Sequence, residues 1–308
     1  MVKIIKVRLD VLNVAILGTG QIGTDLAVKV SARSEFRLIL VAGRRLDSPG
    51  LKFLSEKNFP ISERGIDAIL ESPDHIDIVF DCTSAADHIE NWPRLRSLGI
   101  SAIDLTPAKI GSYFIPRVTS LVSHISGDPI NINLVTCGGQ ATAPIIHAIR
   151  GLTEMARVEV ASNIASLSAG PATRANLDEY ITTTERVLKD LSGAQETKAI
   201  LILNPATPPI TMQNTIYINF LNNAEVDESS LNQTITSTVR RIQRYVPGLR
   251  LAMKPTFSGS EFVISVLVRG HGDYLPPYSG NLDIINSAAI EAALELSISQ
   301  NGNVRRGL

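Results

Sequence analysis

Short runs of apolar residues alternate with helical patterns through the first third of the chain. Residues 11–17 (VLNVAIL), 36–42 (FRLILVA), 76–82 (IDIVFDC), 100–106 (ISAIDLT) and 132–136 (INLVT) each read as a strand buried on both faces. Strands of this kind, alternating with helices, predict a parallel doubly wound sheet. The pattern changes beyond residue 136. RVEVASNIAS (157–166), KAILILN (198–204), TIYINF (215–220) and EFVISVLVRG (261–270) are longer or alternate apolar with polar positions. They predict a mostly antiparallel sheet, with helices near 175–191 and 227–245 over one face. GNLDIINSAAIEAALELSIS (280–299) predicts a final helix.

The expected fold is α/β: a Rossmann-type doubly wound parallel sheet domain plus an α+β catalytic and dimerisation domain with a mostly antiparallel sheet. The boundaries read as 1–135 for the dinucleotide-binding domain, 136–279 for the second domain and 280–308 for a C-terminal helix returning to the first. Residues 1–10 read as a leader into the first strand.

Composition narrows the function classes. Apolar residues make up 44% of the 308 and charged residues 19%, which is ordinary for a globular protein. A net charge of −1 gives no broad electrostatic footprint for nucleic acid or an anionic membrane. The apolar runs fall far short of a bilayer span, and the charges within MVKIIKVRLDVLNVAIL do not suit a secretory signal. With two cysteines and no such signal, a disulfide framework is not expected and a cytoplasmic address is. No residue spacing suggests a metal site.

GTGQIG, with Gly18, Gly20 and Gly23, follows the first strand and opens a helix. In that context the glycines give a tight turn and close backbone approach to a dinucleotide pyrophosphate, with helix amides facing it. The second strand runs into Gly43-Arg44-Arg45 instead of a ribose-binding acid. An arginine there can pair with a 2′-phosphate, so a preference for NADP over NAD is expected.

Cys137, in VTCGGQATAPI, follows a strand and precedes two glycines and a helix beginning at QATAPIIHAI. A helix N-terminus stabilises a thiolate, and amides near the glycines can hold an oxyanion. Cys137 therefore reads as a nucleophile attacking a carbonyl beside a nicotinamide. Cys82 reads as a small buried thiol. None of the five histidines, His75, His88, His124, His147 and His271, stands at a spacing diagnostic of a Cys/His pair, and His75 and His88 read as surface or structural.

GTGQIGTDL, FDCTSAADH, DLTPAKIG, VTCGGQATAP, SAGPATRANLDEY, NPATPPITMQNTIY, YVPGLRL and YLPPYSGNLDI resemble, in order, the motifs of acylating acetaldehyde dehydrogenases, the coenzyme-A-dependent enzymes of meta-cleavage pathways. The resemblance runs from about Val11 to Ser299. It implies that Cys137 carries the acyl thioester and that Thr19, Gly20, Gln21 and Ile22 form the pyrophosphate turn. It further implies that Ser168, Ala169, Gly170, Pro171, Ala172, Thr173, Arg174, Ala175 and Asn176 form a second cofactor-binding stretch, and that Asn281 contacts the nicotinamide end. It implies coenzyme A as co-substrate, a homodimer, and a class II aldolase partner that hands over its aldehyde.

Three positions depart from the pattern. Asn214 stands where the family has an aspartate implicated in activating the cysteine. Asp273 replaces a histidine and is a candidate relocated acid/base. The loop after Phe257 is shortened. Arg45 aligns with the aspartate of the family's V-G-I-D, which agrees with the NADP reading. Two alternatives stay open: a reductase of carrier-bound thioesters or acyl phosphates, and a non-catalytic scaffold that keeps the cofactor fold.

Overall fold

The computed structural model describes residues 11–119, 128–222 and 226–304. The proposed leader and His124 lie outside the described residues. The strands of the first region are β1 (Leu12–Leu17), β2 (Phe36–Ala42), β3 (Ile61–Ser62), β4 (Ile78–Asp81), β5 (Ser101–Asp104), β6 (Ser112–Phe114) and β7 (Asn131–Leu134). Between them run α1 (Gln21–Ser31), α2 (Pro49–Glu56), α3 (Ile66–Leu70) and α4 (Ala85–Ser97). The sheet order is β3-β2-β1-β4-β5-β7-β6, and the pairings from β3 through β5 are parallel. Ala15, Leu17, Ala42, Val79 and Ala102 pack with Ile69 and Leu95, which explains the unbroken apolar runs: both sheet faces are covered. The strand order reverses between β1 and β4, so the chain leaves their carboxyl ends side by side. A doubly wound sheet binds its ligand at that point.

The second region contains α5 (Cys137–Arg150), β8 (Met155–Ala165), α6 (Pro171–Ala175), α7 (Leu177–Ser192), β9 (Glu196–Asn204), β10 (Met212–Phe220) and α8 (Glu228–Ile242). It continues with β11 (Leu249–Leu251), β12 (Thr256–Ser258), β13 (Glu261–Val268) and α9 (Gly280–Val304). The strands follow the order β11-β13-β10-β8-β9, with β12 on β13. All pairs are antiparallel except β8–β9, which is parallel. Along β10, Met212, Asn214, Ile216, Ile218 and Phe220 are buried while the intervening residues are half-buried. The buried face meets α5 and α8, closing a core that includes Ile145, Ile149, Val160, Ile216, Ile235 and Ile264. The shortened loop after Phe257 is a tight β12–β13 hairpin in which Ser258 pairs with Glu261 and Gly259 takes a φ of +62°.

The described residues divide into two compact units: 11–111, 128–132 and 292–304 in the first, and 112–119, 133–222 and 226–291 in the second. This differs from the boundary read in the sequence. Residues 112–119 go with the second unit because Tyr113, Ile115 and Val118 pack with Val135, Ala143 and Val187. The final helix is divided between the units after Glu291. Among the described residues, no helix is long and apolar enough to cross a membrane.

Candidate active site

In the first unit the glycine turn has the shape its spacing implies. Gly18 ends β1 at a φ of +100°, and a Cβ there would lie 2.7 Å from the Cys82 carbonyl. A Cβ at Gly23 would collide with the Gly18 carbonyl, so α1 lies directly on the turn. Gly20, the N-cap of α1, faces open space, and Gln21 and Ile22 form the first helical turn. A cavity of about 460 Å³ opens here, lined by Gly18, Thr19, Gly20, Arg44 and Arg45 and, from the loop after β4, by Cys82 and Thr83. Cys82 is thus half-buried at the cavity wall rather than a core thiol. Its pKa stands well above the ordinary thiol value, through burial and then the charges of Asp81 and Asp104.

Both arginines line the cavity and both have carboxylate neighbours. Arg45 forms a bidentate pair with Asp47 at 2.9 and 2.7 Å, and Arg44 lies 3.7 Å from Asp87. The Arg45–Asp47 pair is largely solvent-exposed, and its hydrogen bond raises the Arg45 pKa and lowers that of Asp47.

Beneath the cavity wall lies a cluster that the sequence did not reveal. His88 is fully buried, with Nδ1 2.9 Å from Asp81 Oδ2 and Nε2 3.5 Å from Asp104 Oδ2. Burial pushes Asp104 up to about 6, against the pull of His88. For His88, burial lowers the pKa, but the Asp81 hydrogen bond and the Asp104 charge win and raise it. Asp81 also accepts from the Thr83 N–H at 3.0 Å, so the cluster fixes the loop that lines the cavity.

In the second unit, Cys137 is the first residue of α5, three positions before the helix start expected from the sequence. Thr136 is the N-cap and accepts from the Gly139 N–H at 3.1 Å. Thr136 Oγ1 also lies 2.7 Å from Thr184 Oγ1, so one turn of α7 pins the first turn of α5. From the same turn of α7, Tyr180 places its hydroxyl 3.7 Å from Cys137 Sγ. That hydroxyl accepts from the Gly138 N–H at 3.1 Å and hydrogen-bonds the Ser162 side chain. A Cβ at Gly138 would overlap both the Tyr180 and the Ser162 oxygens, so this meeting requires glycine.

Two expectations about this turn are corrected. Burial pushes the Cys137 thiol up to about 11, with the Tyr180 hydroxyl and the Gly138 amide opposing. The helix end does not make a thiolate in the free protein, because desolvation of the charge outweighs it. The amides of Gly138 and Gly139 are engaged by Tyr180 and Thr136, so they do not form a ready oxyanion site. The side chain left over is Asn214, fully buried on β10 directly opposite Ser162 of β8, with neither amide atom hydrogen-bonded.

The other residues named from the sequence fall into two groups. Asn281 Nδ2 donates to the Ser168 carbonyl at 3.2 Å, and its buried Oδ1 has no partner. Arg174 braces the stretch between them, donating to the carbonyls of Ala169 and Ser166. Gly170 caps α6, which Asn176 ends. Asp273 pairs with His271 at 2.8 Å, and the His271 N–H donates to Asp283, two residues beyond Asn281 on α9. Sequence reasoning did not single out Tyr180 or Ser162, although Tyr180 closes the quoted SAGPATRANLDEY.

Comparison with known proteins decides the family. Over 294 residues, 94% of this chain and 97% of the other, the sequence is 50% identical to an acetaldehyde dehydrogenase of Pectobacterium atrosepticum. The chain belongs to the acetaldehyde dehydrogenase family. An acetaldehyde dehydrogenase of Geobacillus stearothermophilus is 45% identical over 285 residues, covering 92% of this chain and 96% of that one. Residues 137–276 match the family described as prokaryotic acetaldehyde dehydrogenase, dimerisation, and residues 13–119 match the semialdehyde dehydrogenase NAD binding domain. A probable aspartate-semialdehyde dehydrogenase from Pseudomonas aeruginosa shares the fold, with a TM-score of 0.62 at 12% identity over 94% of this chain and 98% of that one. The acetaldehyde dehydrogenase family is one of oxidoreductases with a nicotinamide cofactor, and the α/β architecture described above is its fold.

Proposed function

We propose that this acetaldehyde dehydrogenase family member interconverts a short aldehyde and its acyl-coenzyme A thioester, with the acyl group carried on Cys137. The observation that carries the reading is the thiol held at the first turn of α5 against Tyr180, in a family of aldehyde dehydrogenases. The ionised sulfur bonds to the aldehyde carbon, and the carbonyl oxygen takes up the negative charge. Asn214 Nδ2 is the donor for that oxygen: it is buried, unpartnered and one strand from the Ser162–Tyr180 pair. A bound nicotinamide supplies the hydride acceptor that turns this adduct into a thioester. The open face of Gly20 fits the pyrophosphate of such a cofactor, and in the first unit its holders are the Gly18–Gly23 turn, Arg44 and Arg45. In the second half, the coenzyme A thiolate attacks the thioester carbon, the bond to Cys137 breaks and its electron pair returns to the sulfur. Asp273, beside His271, is the acid/base group for these later proton movements.

Arg44 and Arg45 favour NADP(H), and with NADPH the reverse reaction, thioester to aldehyde, is the biosynthetic direction. We place the protein in the cytoplasm, as its two free cysteines suggest, and as a homodimer that is stable without the class II aldolase partner. The test is acylation. Given a short aldehyde and NADP or NAD without coenzyme A, the protein gains one acyl mass on the peptide holding TCGGQATAP. Cys137→Ala gains none and turns over no substrate, Cys82→Ala behaves as the unmodified chain, and Asp273→Asn forms the adduct but turns over about tenfold more slowly. An active Cys137→Ala protein sinks the mechanism.

A further inference from the structure

The hydrogen bonds around Tyr180 leave little freedom. A phenol hydroxyl has one proton to donate and two lone pairs to accept with. In the resting site the Gly138 N–H and the Cys137 S–H both donate to the Tyr180 oxygen, at 3.1 and 3.7 Å. Its own proton is then left for Ser162, whose Oγ and the Tyr180 hydroxyl converge on Gly138, 2.4 and 2.3 Å from where a Cβ there would sit. Ser162 is 1% exposed, Cys137 and Tyr180 are half-buried, and Gly138 has no room for a side chain.

We propose that Tyr180 is a second catalytic residue, whose hydroxyl accepts from the resting Cys137 thiol and turns to donate to the sulfur once that thiol has ionised. When the S–H bond breaks, its proton leaves to water and the electron pair stays on sulfur. A thiolate only accepts, so the phenol proton swings from Ser162 to Sγ. Ser162 then turns its hydroxyl to donate a hydrogen bond to the Tyr180 oxygen, and the Gly138 N–H holds that oxygen in both states. Tyr180 stays a neutral phenol throughout, since burial raises its pKa well above the ordinary value. The groups facing the sulfur are Tyr180 from α7 and the Gly138 amide of α5 itself. Ser162 from β8 and Asn214 from β10 stand behind them. No charged side chain contributes to the thiol's shift among the described residues, so this neutral hydroxyl takes the place a cation or a base fills in other activated thiols.

The proposal rests on Cys137 being the nucleophile, and its test needs neither aldehyde nor cofactor. Alkylation of Cys137 by iodoacetamide is followed by peptide mass between pH 7 and 10. In Tyr180→Phe the pH profile moves up by about one unit, so alkylation below the thiol's ionisation is about tenfold slower. Ser162→Ala moves it the same way by less. An unshifted profile in Tyr180→Phe overturns the proposal. If circular dichroism shows that variant unfolded, the Ser162→Ala profile decides, and an unshifted one overturns it. Normal shifts in both variants together with no acyl adduct from any aldehyde remove the dehydrogenase reading while leaving the role of Tyr180 standing.

Discussion

Asn214, a buried amide opposite Ser162, sets what the site beside Cys137 can do chemically. An amide cannot accept the thiol proton at neutral pH, and burial alone holds Cys137 protonated there, up to about 11. The sign follows directly. A thiol with a raised pKa gains thiolate with every unit of pH below that value, so kcat/KM rises across pH 7–10, by up to about tenfold per unit. A profile flat from pH 7 would mean that a group not named here takes the proton. The amide's chemistry suits the other half of the step. A buried amide with no partner on the protein has a hydrogen bond to give a substrate oxygen as charge develops on it. Asn214→Ala therefore lowers kcat by about ten- to hundredfold with little change in KM, while the iodoacetamide profile of Cys137 stays in place. Steady-state kinetics and alkylation on the same preparation separate the two roles, and an unchanged kcat removes Asn214 from the chemistry.

At the scale of elements, the site is made by turns whose sequence is local and by helix contacts whose sequence is not. The Gly18–Gly23 turn was legible because its steric demands are local: Gly18 takes a φ closed to other residues, and Gly23 must let α1 touch the strand end. Cys137 was legible from its place between a strand and a glycine pair. The true start of α5 was not, because Thr136 caps the helix before the glycines rather than after them. Tyr180 was invisible for a different reason: it stands 43 positions from Cys137, and only the packing of α7 on α5 brings them together. The loop after β2 was half legible. Its arginines were expected at a ribose phosphate and do line the cavity, but Asp47 already occupies the Arg45 guanidinium. Because the pair is largely exposed, water and salt screen it, and a 2′-phosphate competes for the same fork. The expected preference for NADP(H) over NAD(H) is about tenfold in KM, the low end for one screened guanidinium–phosphate contact. Asp47→Asn widens it, Arg45→Asp levels or reverses it, and added salt narrows it. Equal KM values for both cofactors in all three proteins would show that these side chains merely face solvent.

On the scale of the whole molecule, the second sheet has one covered face and one open one. Opposite the helices, Gln213, Thr215 and Tyr217 of β10 stand in register with Asn163, Ala161 and Glu159 of β8 and with Leu267, Ser265 and Val263 of β13, and Ile202, Ile200 and Lys198 of β9 extend the same rows. The β10 members of this face are half-buried, and Ile202 is 45% exposed. A face mixing aliphatic, aromatic and amide side chains with one ion pair, Glu159–Lys198, is too apolar for water alone and too polar for a core, which suits an interface between folded copies. The match of residues 137–276 to a dimerisation domain covers all of these strands. The hairpin that closes the shortened loop lies on the β13 side of the same sheet and leaves little chain there for a second partner to grip. The purified chain is therefore expected to be a homodimer by light scattering in the absence of any aldolase. Lysine at both Tyr217 and Ile202 puts like charges on both copies of a two-fold interface and shifts the mass toward the monomer at micromolar concentration. The acyl adduct on Cys137 still forms in that variant if each subunit holds a complete thiol site. A monomeric unmodified chain, or one that stays insoluble until an aldolase is co-expressed, would overturn this assignment of the open face.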